Sequence, residues 1–84
     1  MSELGEVLGR QIAAGRTLLG LNQPDLAKKA NVSVSTLKRM EASEGFAEGL
    51  PNNVFAVRRA LEAFGIIFVA ENGDGPGVRL RKGG

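Results

Sequence analysis

Between Asn22 and Glu41 the chain carries two helix start signals so close together that only Asn31 and Val32 remain to turn it. Asn22 can cap a first helix, Asp25 three residues on gives a short form of the capping box, and Pro24 falls in the first turn, where an N–H has no partner anyway. Ser33 can cap a second helix running from about Val34 to about Ala42. Leu26, Ala30, Val32, Leu37 and Met40 are apolar where two crossing helices would bury them, and Ala27 is small where their backbones would come closest. The spacing predicts a helix-turn-helix over residues 22–42.

Residues 4–19 place Leu4, Val7, Leu8, Ile12, Gly15, Leu18 and Leu19 at three- and four-residue spacing, the stripe of an amphipathic helix that Gly20 ends. Gly5, Gly9 and Gly15 weaken that helix by up to about 1 kcal/mol each relative to Ala, so its first turns are expected to fray. The segment 43–51 reads as a long connection, tucked down by Phe46 or Leu50. Asn52 and Asn53 can cap a further helix from Val54 to about Phe64, burying Val54 or Phe55, Val57, Leu61 and Phe64 and closing at Gly65.

The period then changes. An apolar run, dense turn chemistry and the alternating VRLRK predict a β-hairpin over residues 66–82. A lone hairpin is marginal, and Ile66 to Ala70 are apolar on both faces, so something is expected to cover the second face. The same hairpin of a second copy is the obvious cover, through Ile66, Phe68, Val69, Val78 and Leu80. In the competing arrangement Phe64 and Ile66 cover the chain's own first helix and a dimer forms elsewhere. The chain thus divides into residues 1–65, a helical unit, and residues 66–84, a hairpin and tail for dimerisation.

A chain of 84 residues forms one small domain that buries only about 60 per cent of its unfolded surface. It has no cysteine and no histidine, so disulfides are impossible and a zinc site lacks good ligands. Oligomerisation is the remaining source of added burial. Nucleophilic catalysis lacks an activating base, and Gly73, Gly75 and Gly77 precede no lysine-serine pair or helix start, so they read as a turn rather than a phosphate loop. No enzyme activity, cofactor or metal is expected. The N-terminus shows no basic-then-apolar leader and no apolar run nears a membrane span, so the expected location is cytoplasmic. The net charge of +2 is only mildly basic, but Lys28, Lys29, Lys38 and Arg39 fall in the two motif helices, where a polyanion would be met.

Over roughly residues 8–64 the chain resembles the lambda-repressor-like helix-turn-helix regulators, the Cro, phage-repressor and xenobiotic-response-element type. The resemblance rests on Leu19-Gly20-Leu21-Asn22-Gln23, Asp25-Leu26-Ala27, Val32-Ser33, Ser35-Thr36-Leu37 and Glu41. Asn31 stands where the family usually turns on Gly, and Val34 where the reading helix often opens with Gln or Arg. The resemblance implies a mainly α fold of four helices, to which the hairpin read above adds a C-terminal element expected to pair across a dimer. It gives Val34 and Ser35 the first two base-contacting positions of the helix that opens at Ser33, and Lys38 and Arg39 the later ones. It assigns Gln23 a bridge to phosphate, and packs Arg16 against Glu41 to hold the reading helix. The start of the fourth helix, at Asn52 and Asn53, offers a second anion contact. Chemically, Arg39 can reach guanine O6 and N7, Ser35 can donate or accept, Lys38 can read guanine or grip phosphate, and Val34 can touch a thymine methyl.

The function expected is that of a homodimeric, sequence-specific double-stranded DNA-binding transcriptional regulator, most simply a repressor that occupies a promoter. Two alternatives stay open. One is an antitoxin that represses its own operon and binds a toxin; the other is an anti-activator that reuses the scaffold to bind a regulator protein.

Overall fold

The computed structural model describes residues 6–82. Among them, four helices, α1 (Gly9–Leu19), α2 (Gln23–Ala30), α3 (Val34–Ala42) and α4 (Pro51–Ala63), precede an antiparallel hairpin of β1 (Ile66–Val69) and β2 (Gly77–Leu80). The chain is mainly helical. Local chemistry fixes its centre: Asn22 Oδ1 accepts the Asp25 N–H at 2.8 Å to start α2, and Ser33 Oγ accepts the Thr36 N–H at 3.1 Å to start α3. Between them Asn31 takes the left-handed conformation, φ 60°, which asparagine tolerates better than other residues with a Cβ. The N–H groups of Asn31 and Val32 return to the carbonyls of Lys28 and Ala27, closing the end of α2.

Each helix contributes one apolar stripe to a single core. Ile12 of α1, Leu26 of α2, Leu37 and Met40 of α3, Val57 and Leu61 of α4 and Ile66 of β1 are all fully buried, at about 1.5 to 3 kcal/mol apiece. The small Ala27 and Ala30 are buried beside them.

The N-terminal helix is shorter than its stripe predicts. Leu4 and Gly5 lie outside the described residues, and α1 begins only at Gly9. Val7 and Leu8 are instead extended against the connection after α3, with Ala47 N–H donating to the Val7 carbonyl at 2.8 Å and Gly9 N–H to the Gly45 carbonyl at 3.0 Å. These long-range bonds occupy backbone groups that a longer helix would need. Gly9 does more than weaken a helix: a Cβ there would overlap the Met40 carbonyl oxygen and stand 2.9 Å from that of Ser43. Gly9→Ala is therefore expected to destabilise by about 1 to 3 kcal/mol despite the better helix propensity of alanine. Gly15→Ala, which meets only side-chain atoms, of Ile66 at 3.3 Å and Leu61 at 3.6 Å, should cost less. Urea unfolding of the two variants checks the order; equal stability of Gly9→Ala and wild type would mean that α1 shifts freely from α3.

Residues 43–50 are held by a serine rather than by Phe46 or Leu50, which are both exposed. Buried Ser43 donates its hydroxyl to the Arg39 carbonyl at 3.1 Å and accepts the Glu48 N–H at 2.9 Å, while Ala47 packs on the core. The fourth helix also starts earlier than expected. Pro51 takes the first helical position, which suits its fixed φ and missing N–H, so Leu50 is the N-cap and Asn52 and Asn53 lie in the first turn instead of capping it. Phe55 and Phe64 come out exposed; Val57, Ala60 and Leu61 are the residues α4 buries.

In the hairpin, Ile66 faces Leu80 and Phe68 faces Val78. Ile66 is buried, and Phe68 and Val78 are half-buried and pack against the core of the same chain, so the chain's own core covers part of the apolar surface that the run offers. Successive strand residues alternate faces, which puts Ile67 and Val69 on the opposite side, Ile67 being exposed. Leu80 is nearly half exposed at the end of β2. Buried Gln11 ties the hairpin to α1, its amide donating to the Val69 and Gly77 carbonyls at 3.2 and 2.9 Å while its oxygen accepts the Leu8 N–H.

Candidate functional site

The outward side of α3 gathers most of the residues singled out in the sequence. Leu37 and Met40 are fully buried, which leaves Ser35, Lys38 and Arg39 exposed on the opposite side, with Ser33 exposed at the cap. Val34 departs from expectation: it is half-buried and packs against the core. Its position explains this, because residues 34, 37 and 41 follow three- and four-residue spacing and share the inward side of the helix. The hydroxyls of Ser33 and Thr36 lie 2.8 Å apart, with Ser35 Oγ 3.3 Å from Ser33 Oγ, so the helix opens on a small polar cluster.

The other end of α3 is pinned by its last carboxylate. Arg16 of α1 approaches Glu41 with Nε at 2.7 Å and Nη2 at 2.9 Å, and its Nη1 donates to the Leu21 carbonyl at 3.0 Å. Two parallel bonds from a planar guanidinium fix direction as well as distance. Glu41 raises the Arg16 pKa above its ordinary value through its hydrogen bonds, against the opposing effect of burial. The contribution of a group raised in this way is fully present below its ordinary pKa and is lost only above it, so the pair keeps its cation throughout the neutral range. Gln23, at the first position of α2, donates Nε2–H to Glu41 Oε1 at 3.0 Å. One carboxylate thus joins α1, the start of α2 and the end of α3.

Arg16, Gln23 and Glu41 therefore stand in one network and Ser33, Ser35, Lys38 and Arg39 on one helix, whereas Asn53 sits apart in α4, half-buried, its own N–H bonded to the Leu50 carbonyl at 2.9 Å. Among the described residues the ion pairs are Arg16–Glu41 and Arg58–Glu62, so Lys28, Lys29, Lys38 and Arg39 meet no acid of this chain. The link from Gln23 to Glu41 spans 18 residues and has no local signal. Gln11 did have one, a polar side chain among the apolar residues at 8, 12 and 15. Among the described residues no group of three or more acids could hold a metal ion, and no helix is long and apolar enough to cross a membrane. A scan against protein-family models and a search of curated proteins both find no match for this chain.

Proposed function

We propose that this chain is a homodimeric, sequence-specific double-stranded DNA-binding regulator, with α2, the turn and α3 working as a helix-turn-helix of lambda-repressor-like type. The observation that carries the reading is the exposed side of α3, where Ser35, Lys38 and Arg39 project without acidic partners among the described residues from a helix anchored at both ends. A reading helix must hold its donors at a fixed depth in the major groove, and the Arg16 fork supplies that rigidity. Arg39 is the guanine reader, Lys38 reads guanine or grips phosphate, and Ser35 bonds a base edge. Val34 offers only the apolar surface left to it by packing, suited to a thymine methyl. Gln23 keeps a second amide hydrogen beyond the one given to Glu41, and it lies at the positive end of α2, where a backbone phosphate is favoured. Two copies related by a two-fold axis read half-sites about one turn, 10 base pairs, apart, and repress by occupying a promoter.

Selection of bound sites from random duplexes, followed by titration, tests the reading. On the selected site Arg39→Ala should cost about 1 to 3 kcal/mol and relax the preference at one base pair, whereas Gln23→Ala should weaken all sequences alike. Equal losses on selected and random DNA for Arg39→Ala would remove its base-reading role, and no selected sequence at all would remove the proposal.

A further inference from the structure

A second surface lies on the outward side of α4. Asn52, Phe55, Ala56, Arg59, Ala60 and Ala63 line a shallow groove of about 510 Å³, closed on its other side by Lys29 and Ala30 of α2. Its chemistry is unusual for a solvent face. Phe55 and Phe64 are 41 and 39 % exposed, on a small domain that has four phenylalanines in all. Each ring carries a cation: the Arg59 guanidinium lies 5.3 Å from the Phe55 centroid, and Lys29 Nζ lies 5.6 Å from that of Phe64. Neither cation forms an ion pair among the described residues, and no acid lines the groove. Asp25 stands one turn before Lys29 on α2 without pairing to it.

We infer that this groove docks an acidic amphipathic helix of a partner protein. The floor of alanines lets a partner backbone approach closely, and the exposed Phe55 ring supplies apolar area for its anchoring side chains, with Phe64 outside the lining beside Lys29. A guanidinium stacked on a ring still presents its N–H edge outward, where a carboxylate can accept two bonds. Lys29 and Arg59, on opposite sides of the groove, thus set the sign of the partner's charge. A nucleic-acid backbone is the poorer occupant, because its hydrated phosphates would leave the alanine floor and the Phe55 ring uncovered. The surface is separate from the exposed side of α3, so the inference does not rest on DNA binding.

The test is peptide display against the full chain, using a random library of about 16 residues, some four helical turns. The expected winners carry surplus Asp and Glu around apolar residues at three- and four-residue spacing. Synthetic winners should bind wild type and lose about tenfold or more in affinity to Arg59→Glu or Phe55→Asp. Both side chains are exposed, and unchanged circular dichroism of the variants separates loss of the groove from loss of fold. Winners without acidic surplus, winners indifferent to both substitutions, or no enrichment would overturn the inference. A drop in the mass of the wild-type assembly on Phe55→Asp would also overturn it, by showing that a second copy fills the groove.

Discussion

Arg16→Met is expected to lower stability by about 3 kcal/mol, a large share of the roughly 5 to 15 kcal/mol that holds a whole domain. Methionine keeps most of the stem's volume but removes every donor. Glu41, whose side chain is only 7 % exposed, would then be left a nearly buried charge with the Gln23 amide as its remaining side-chain donor, and the Leu21 carbonyl would lose the bond from Nη1. For a domain of this size the thermal midpoint should fall by about 12 to 24 °C. Arg16→Met/Glu41→Leu should recover much of the loss, because an apolar pair leaves no orphaned charge. If the proposed DNA binding holds, the double variant should nonetheless discriminate poorly between selected and random DNA, since the fork that ties the end of α3 to α1 would be gone. A double variant as unstable as the single one would locate the cost in lost packing of the arginine stem, and a single variant as stable as wild type would mean that Glu41 finds water.

The parts of the fold that were legible in the sequence are those decided within a few residues. Asn22, Asn31 and Ser33 each act on backbone groups no more than three to five positions away, so residue type and spacing were enough to place α2, the turn and α3. The start of α1 was decided by the segment at residues 45–47, which takes the hydrogen bonds of Val7 and Gly9, and no local pattern announces a partner so distant. At α4 two local preferences competed. Asparagine favours the cap and proline the first helical position, and proline prevailed, moving the asparagines inside the helix. In the candidate site the ion pair of Arg16 and Glu41 came from family resemblance alone, because nothing in spacing joins residues 25 apart. Val34 differs for another reason: its half-burial follows from the same helical spacing that puts Leu37 inside, and that spacing outweighs the contact position the resemblance implies.

On the proposed reading as a DNA-binding dimer, the hairpin carries the largest expected effect, and the covering of Phe68 changes which residue tests it. An apolar run on both faces of β1 has two demands for burial, and the chain's own helices meet one of them through Ile66, Phe68 and Val78. Ile67 and Val69 remain on the other face, opposite Arg79 and Gly77 of β2, with Ile67 exposed. A dimer built there gains the second half-site by effective concentration, so Ile67→Asp should leave a folded monomer and lower affinity for a two-fold site by about 100-fold or more, with single half-site binding unchanged. Phe68→Ala should do the opposite. It removes a ring that packs on the core and lies 5.1 Å beneath the Arg58 guanidinium, costing about 2 kcal/mol of stability while leaving the mass that of the dimer. Sedimentation and chemical unfolding of the two variants separate the roles of the two faces. A dimer that survives Ile67→Asp with its operator affinity intact would place the interface elsewhere. A dimer lost on Phe68→Ala without loss of stability would mean that the hairpin leaves its own core to pair across the axis.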